Sequence, residues 1–333
     1  MGKLFSIGEV LIDFIPLQKG VALKDVVSFE RAPGGAPANV AAAVAKYGQK
    51  AAMISKLGND AFGDFLVDKL VEAGVETDKV YRTGEANTAL AFVSLKEDGE
   101  RDFSFYRNPS ADLLLNEEEI EPAWFQAGDI LHFCSVDLVE SPMKQAHKKA
   151  IAAVSNAGGL VSFDPNVRLP LWANPEDCRK AILEFLPTAD IVKVSDEELE
   201  FITGINDEAN AIQSLFVGNV KAVVYTKGAA GADLFLRNER FESSGYTVEP
   251  VDTTGAGDAF IGGFLYQLLE LQATPANVME VLRSNQRQIL QFSNASGALT
   301  TTGKGAISAL PTKGEVEKLI EFGDSCYHGS IVK

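Results

Sequence analysis

Val251-Asp252-Thr253-Thr254-Gly255-Ala256-Gly257-Asp258-Ala259-Phe260 decides how this chain reads. Ahead of it, Tyr246, Val248 and Val251 alternate with polar residues, the pattern of a strand's end. After it, Ala259 to Leu271 is apolar and rich in helix formers, which predicts a helix starting near Asp258. The link is made of Thr, Gly and Ala, small residues that let a main chain approach a ligand closely. Backbone N–H groups of Gly255, Ala256 and Gly257, with a positive helix end behind them, make an anion site. Such donors also stabilise negative charge that develops during reaction. Asp258 sets a carboxylate beside that site, a poor holder of phosphate but a good acceptor of a hydroxyl proton. In isolation the same Asp caps a helix just as readily; the rest of the chain decides between the two.

Upstream, Ile130 to Cys134, Gly159 to Phe163, Ile191 to Val194 and Ala222 to Tyr225 are short apolar runs of the buried, parallel kind. Helical segments at 142–157, 175–186, 196–203 and 207–217 lie between or after them. The alternation predicts an α/β fold, a doubly wound and mostly parallel sheet with helices on both faces, whose ligands bind beyond the strands' carboxyl ends. The informative polar residues fall at those exits. They are Asp164-Pro165-Asn166-Val167-Arg168, then Lys193 to Glu198, then Thr226-Lys227-Gly228-Ala229-Ala230-Gly231, and finally Asp252 to Asp258. Four such exits in succession favour chemistry over capping for Asp258. Arg168 beside a phosphate site suits charge stabilisation, its alternative being an ion pair with Asp164.

Nearer the start, Leu4 to Phe14 reads as a buried strand running into a second extended piece interrupted by Asp13, a sugar-hydroxyl acceptor or a turn residue. Pro33-Gly34-Gly35-Ala36-Pro37-Ala38-Asn39 opens an Ala-rich helix that ends at Gly48, with Asn39 placed to bind a ligand or to cap. Ala51 to Lys56 is a strand, and Ala61 to Ala73 an amphipathic helix. Thr88 to Leu95 and Arg101 to Tyr106 alternate around Asp98-Gly99, a hairpin signal. Residues 12–33 and 86–108 therefore form a small β lid inserted in one domain of residues 1–322, and 323–333 form a tail. Phe92, Phe103 and Phe105 give the lid more apolar surface than a thin hairpin buries alone, which predicts a homodimer packed lid to lid.

The 333 residues are 46% hydrophobic, enough for a sizeable core. A formal charge of −16 argues against nucleic acid or an anionic membrane as partner. Cys134, Cys178 and Cys326 have no metal-like spacing, which fits a reducing cytoplasm. No apolar run reaches a membrane span. Met1 to Ser6 matches a myristoylation pattern, but Leu4 to Val10 reads as the first buried strand.

Two separated motifs, Gly34-Gly35-Ala36-Pro37-Ala38-Asn39 and Asp252 to Asp258, together resemble the PfkB (ribokinase-like) carbohydrate kinases over nearly the whole chain. Within that family the strings Gly8 to Phe14, Phe103 to Asp112, Asp164 to Trp172 and Lys193 to Glu198 are most similar to fructokinases. The resemblance implies ATP-dependent phosphorylation of a sugar hydroxyl, D-fructose to fructose 6-phosphate, with Mg2+ and a K+ site as cofactor expectations. It assigns Asp258 as base, with Gly255, Ala256, Gly257 and Arg168 around the transferring phosphate. It assigns Asp13, Gly34, Gly35, Asn39, Phe105, Arg107 and Asn166 to the sugar, and Lys193, Glu198, Thr226, Gly228, Gly231 and Asn294 to the nucleotide. Asp252, Thr254, Thr300, Gly303 and Gly305 match a monovalent-cation loop, with Ala309 where some members carry Ser. Ser195 stands where the family's Asn-x-x-Glu motif has Asn, which leaves Glu198 as the residue linked indirectly to Mg2+.

A 2-keto-3-deoxygluconate or other ketose kinase shares this chemistry, since Arg107 is able to face a carboxylate as well as a hydroxyl. Retention of Asp258, Arg168 and Glu198 counts against a non-catalytic sugar or nucleotide sensor. A dehydrogenase is disfavoured because no Gly-x-Gly-x-x-Gly follows the first strand.

Overall fold

The computed structural model describes residues 2–18, 20–95 and 101–323. The chain begins with β1 (Leu4–Ile7), β2 (Leu11–Pro16), β3 (Phe29–Gly34), α1 (Ala36–Lys46), β4 (Ala51–Gly58), α2 (Ala61–Glu72) and β5 (Glu76–Thr83). Then come β6 (Leu90–Leu95), β7 (Arg101–Tyr106), β8 (Ile130–Cys134), α3 (Pro142–Asn156), β9 (Leu160–Asp164) and α4 (Pro175–Phe185). The remainder is β10 (Ile191–Ser195), α5 (Asp196–Thr203), α6 (Glu208–Ser214), β11 (Ala222–Thr226), β12 (Ala232–Leu236), β13 (Glu239–Ser243), α7 (Ala256–Glu270), α8 (Val278–Thr300) and α9 (Lys313–Phe322).

Nine strands form one sheet in the order β13-β12-β11-β10-β9-β8-β1-β4-β5, parallel except where the β12–β13 hairpin adds antiparallel at one edge. The apolar runs alternate across it, so neighbouring residues enter different cores. Leu4, Met53 and Val224 pack with α1, α7 and α8, while Phe5, Ile54 and Val223 pack with α3 to α6. Helices thus cover both faces, as the alternation predicts. Helices α1 and α7 approach so closely that a Cβ on Gly262 would stand 2.6 Å from that of Ala43.

The second sheet, β3-β2-β6-β7, is the lid. Its strands come from the two expected segments: β6 and β7 pair antiparallel, as the expected hairpin does, and β2 lies parallel to β6. Phe92 and Phe105 occupy opposite lid faces. Phe92 stacks on Phe14 at 4.7 Å and meets Phe29 and Tyr106, whereas Phe105 packs with Leu11, Ala89 and Ala91. The Asp98-Gly99 turn, the Phe103 side chain and residues 324–333 lie outside what is described.

Two expectations are corrected. Residues 244–250 form no strand; the chain crosses there as an irregular segment, and Val251 is exposed. The β5 strand, which falls outside both lid segments, extends the main sheet beside β4. Helix α7 begins at Ala256, with left-handed Gly255 at its cap position, so Asp258 lies inside the first turn and is not the cap. No helix among the described residues is long and apolar enough to cross a membrane.

Candidate active site

The exits of β9, β10 and β11, the start of α7 and the start of α1 converge beside the lid. Gly255 takes φ +76°, and a Cβ there would stand 2.6 Å from that of Ala306; the turn into α7 is therefore written for glycine. The first N–H groups of α7 have no intrahelical partner and point out of the helix end, although that of Ala256 makes a long 3.3 Å bond to the Thr253 carbonyl.

Asp258 follows in that first turn. Its Oδ2 accepts from Asn39 Nδ2 at 2.8 Å, joining two residues far apart in sequence. Asn39 is buried, and its Oδ1 has no partner, an acceptor left for an incoming hydroxyl. Burial pushes the Asp258 carboxyl above the usual carboxylate range, opposed by the Asn39 bond and by the cations of Arg168 and Lys193. A raised value suits a general base better than a strongly acidic carboxyl.

Asp13 and the Gly34-Gly35 turn complete this side. A Cβ on Gly34 would meet Asp13 Oδ2 at 2.1 Å, and one on Gly35, at φ +107°, would meet the Glu9 carbonyl at 2.5 Å. Both glycines therefore let backbone and carboxylate crowd together. A cavity of about 1290 Å³ opens between the lid, α2 and the segments at 250–254 and 304–310, lined among others by Asp13, Ala32, Val93, Thr253 and Thr254. Phe105 lies on the lid face that carries Asp13, because Asp13 pairs with Ala91 and Ala91 with Phe105.

On the other side of the helix end, Lys193 is buried, and its Nζ bonds Asp164 Oδ2 at 3.0 Å. The ammonium stands 3.4 Å from where a Gly257 Cβ would be, beside the anion site. Burial disfavours its charge, but the carboxylates of Asp164, Glu198 and Asp258 more than offset that and hold it above its usual range. Burial pushes Asp164 up to about 7 against the pull of Lys193. Asp164 is thus a member of the site that the sequence singled out only as a possible partner of Arg168. The pair with Arg168 does not form; Arg168 is exposed and bonds the Val167 carbonyl. Asn166, at φ 44°, donates its N–H to Asp164 Oδ1.

Glu198 closes a capping box with Ser195, and its other oxygen accepts from Val167 N–H at 2.7 Å. Both oxygens serve the chain, so its fit to Mg2+ is through water rather than as a direct ligand. Thr226 hydroxyl reaches the Val194 carbonyl at 3.5 Å. Gly228 and Gly231 have positive φ, and a Gly231 Cβ would strike the Ser243 carbonyl at 2.1 Å. Asn294 ties down that segment through bonds to Ser243 and Ser244, beside a 520 Å³ cavity that reaches Tyr246 and Arg287. These nucleotide candidates form a second group apart from Asp258. Asp252 gathers the expected cation loop, accepting from Thr254 hydroxyl at 2.6 Å and Gly305 N–H at 3.0 Å. Thr300 hydroxyl instead caps inward onto the Ser296 carbonyl, and Gly303 packs on Ala309. Asp252 thereby ties the segment ahead of Gly255 to the loop after α8, with both of its carboxylate oxygens bonded within the protein.

Arg107 is placed differently from the expectation. It is buried and bonds both Asp112 and Asp137, because two interior carboxylates claim the guanidinium first. It is not exposed to a substrate.

The model of the "pfkB family carbohydrate kinase" matches residues 1–313. Fructokinase-2 of Solanum lycopersicum is 44% identical over 324 residues, covering 97% of each chain. The crystal structure of fructokinase with bound ATP from Xylella fastidiosa superposes with a TM-score of 0.87 at 38% identity, covering 96% of this chain and 98% of that one. Fructokinase from Vibrio cholerae O395, solved with fructose, ADP and calcium ion, gives 0.84 at 35% identity, covering 96% and 99%.

Proposed function

This chain belongs to the pfkB family of carbohydrate kinases, and from that membership we propose that it transfers the γ-phosphoryl group of ATP to the primary hydroxyl of D-fructose, giving fructose 6-phosphate. The observation that carries the reading is the Asn39–Asp258 pair at the N-terminus of α7. Fructose is the sugar bound in the similar Vibrio cholerae structure, and ATP the nucleotide in the Xylella fastidiosa one.

In this reading Asp13, Asn39, Asn166 and the Gly34-Gly35 backbone bind the sugar, with Phe105 over it. Asp258 takes the hydroxyl proton as the oxygen attacks. The N–H groups of Gly255, Ala256 and Gly257 receive the transferring phosphoryl, and Lys193 and Arg168 offset its charge. Asp164 holds Lys193 in place. Thr226, Gly228, Gly231 and Asn294 shape the nucleotide side. Glu198 would hold Mg2+ through water, and the ion would supply charge neutralisation to the nucleotide. K+ at the Asp252–Gly305 loop would fix the backbone ahead of Gly255. With Arg107 sequestered, the sugar-acid reading loses the cation that supported it.

Assays of fructose, ribose, 2-keto-3-deoxygluconate and adenosine with ATP and Mg2+ test the reading. Fructose is expected to give the highest kcat/KM, and a higher value for any other member overturns it.

We further place the enzyme in the cytoplasm, as its buried free thiols Cys134 and Cys178 suggest, and as a homodimer through the lid. The lid leaves Leu17, Val27 and Tyr106 exposed, 63%, 82% and 63% respectively, more apolar surface than a small sheet leaves in water without a partner. Light scattering at working concentration is expected to give twice the chain mass; a monomer refutes the dimer.

A further inference from the structure

Behind the Gly34-Gly35 turn lies a buried group of charges that the reaction does not use. Arg107 leaves the end of β7, Asp112 follows in a short turn of helix, Asp137 follows β8, and Glu9 joins β1 to β2. All four are at least nine-tenths buried. Arg107 bonds both aspartates and reaches the Val136 carbonyl at 3.4 Å. Glu9 Oε1 accepts from Ala36 N–H at 3.0 Å, the first residue of the helix that carries Asn39. Asp137 Oδ2 is 2.8 Å from where a Gly8 Cβ would be. The group therefore touches the wall of the sugar site without entering it.

Strand alternation sets the direction of Arg107. Residues 105 and 107 are two apart, so the chain leaving Phe105 would carry residue 107 on toward the lid face that bears Asp13. There a guanidinium would meet the sugar. Instead one guanidinium is held by two carboxylates in the interior.

We propose that Asp112 and Asp137 are positioning residues that set specificity: by holding Arg107 between them behind the Gly34-Gly35 turn, they deny a cation to a sugar carboxylate and bias the site toward neutral ketoses. This rests on the sugar kinase reading above. The charge balance supports it. Glu9, which lies within hydrogen-bonding reach of Asp137, is pushed well above its ordinary range by burial and then by that carboxylate. His147, also facing Asp137, is pushed down by burial and stays neutral. One guanidinium is thus enclosed by buried carboxyl groups, and no positive charge is left over for an anionic substrate.

The test uses full-length wild type, Asp112→Asn and Asp137→Asn, with kcat/KM for fructose and for 2-keto-3-deoxygluconate as the readout. Each substitution removes one counter-charge from Arg107. The ratio of acid to fructose is expected to rise about tenfold or more, since a unit charge in a partly desolvated site is felt strongly, with KM for ATP unchanged. A smaller change in ratio, or an equal loss for both substrates, shows a merely structural role and overturns the proposal. Should neither variant fold, the acid is expected to compete with fructose on the wild type with Ki about tenfold or more above the fructose KM, and a tighter Ki overturns it. Wild type that fails to phosphorylate fructose instead removes the function proposed above, a separate outcome.

Discussion

Asp258→Asn is expected to lower kcat by about 10²–10⁴, the span of general base catalysis, while KM for ATP stays nearly unchanged. The amide keeps the side chain's shape and volume, so α7 and its Gly255 cap stay intact. What is lost is the proton acceptor held on Asn39. The same assignment fixes a pH dependence. The base acts only when deprotonated, and burial raises its folded value. Activity is therefore expected to fall with decreasing pH from above the usual aspartate value near 3.9, and Asp258→Asn is expected to abolish that limb. A variant that keeps most of its kcat with chemistry rate-limiting removes Asp258 from the mechanism.

Gly255→Ala is the second large effect. A side chain at φ +76° costs about 1–2 kcal/mol by itself, and its Cβ would press to 2.6 Å on Ala306. The turn must shift, and the N–H groups it aims shift with it. A loss of about 10²–10³ in kcat is expected, the cost of one oxyanion-hole donor, together with a lower Tm. Unchanged kcat with a lowered Tm shows that the donors of this turn do not stabilise the reaction.

The alternation of buried runs with helices was legible because each strand is covered on both faces, so its residues are apolar without interruption. The Asp252 to Asp258 motif was legible because glycine spacing and a carboxylate lie within a few consecutive residues. Arg107 was misplaced for the opposite reason. Its partners Asp112 and Asp137 belong to different elements, and only the three-dimensional structure brings the second of them within reach. The same holds for Asp164 and Lys193, one on each of two neighbouring strands. The strand expected before the motif failed because residues 244–250 alternate without a neighbouring strand to pair with, Asn294 instead anchoring the start of the segment. Helices α8 and α9 were not legible, although α8 is the longest helix among the described residues; charged and amide side chains interrupt their apolar spacing.

The order of strands in the main sheet has a consequence for the chain as it is made. From β8 onward each new strand joins the edge left by the one before, through β9, β10, β11, β12 and β13. A chain emerging N-terminus first, at about 5–20 residues per second, thus meets its docking edge already in place. Only then does α7 return across the sheet to lie on α1, the helix completed near the start of synthesis. Asp258 and Asn39 therefore meet only after the last strand of the main sheet has been made. A polypeptide released between residues 243 and 258 would carry every strand of the main sheet and both lid segments but would lack Asp258, the proposed base.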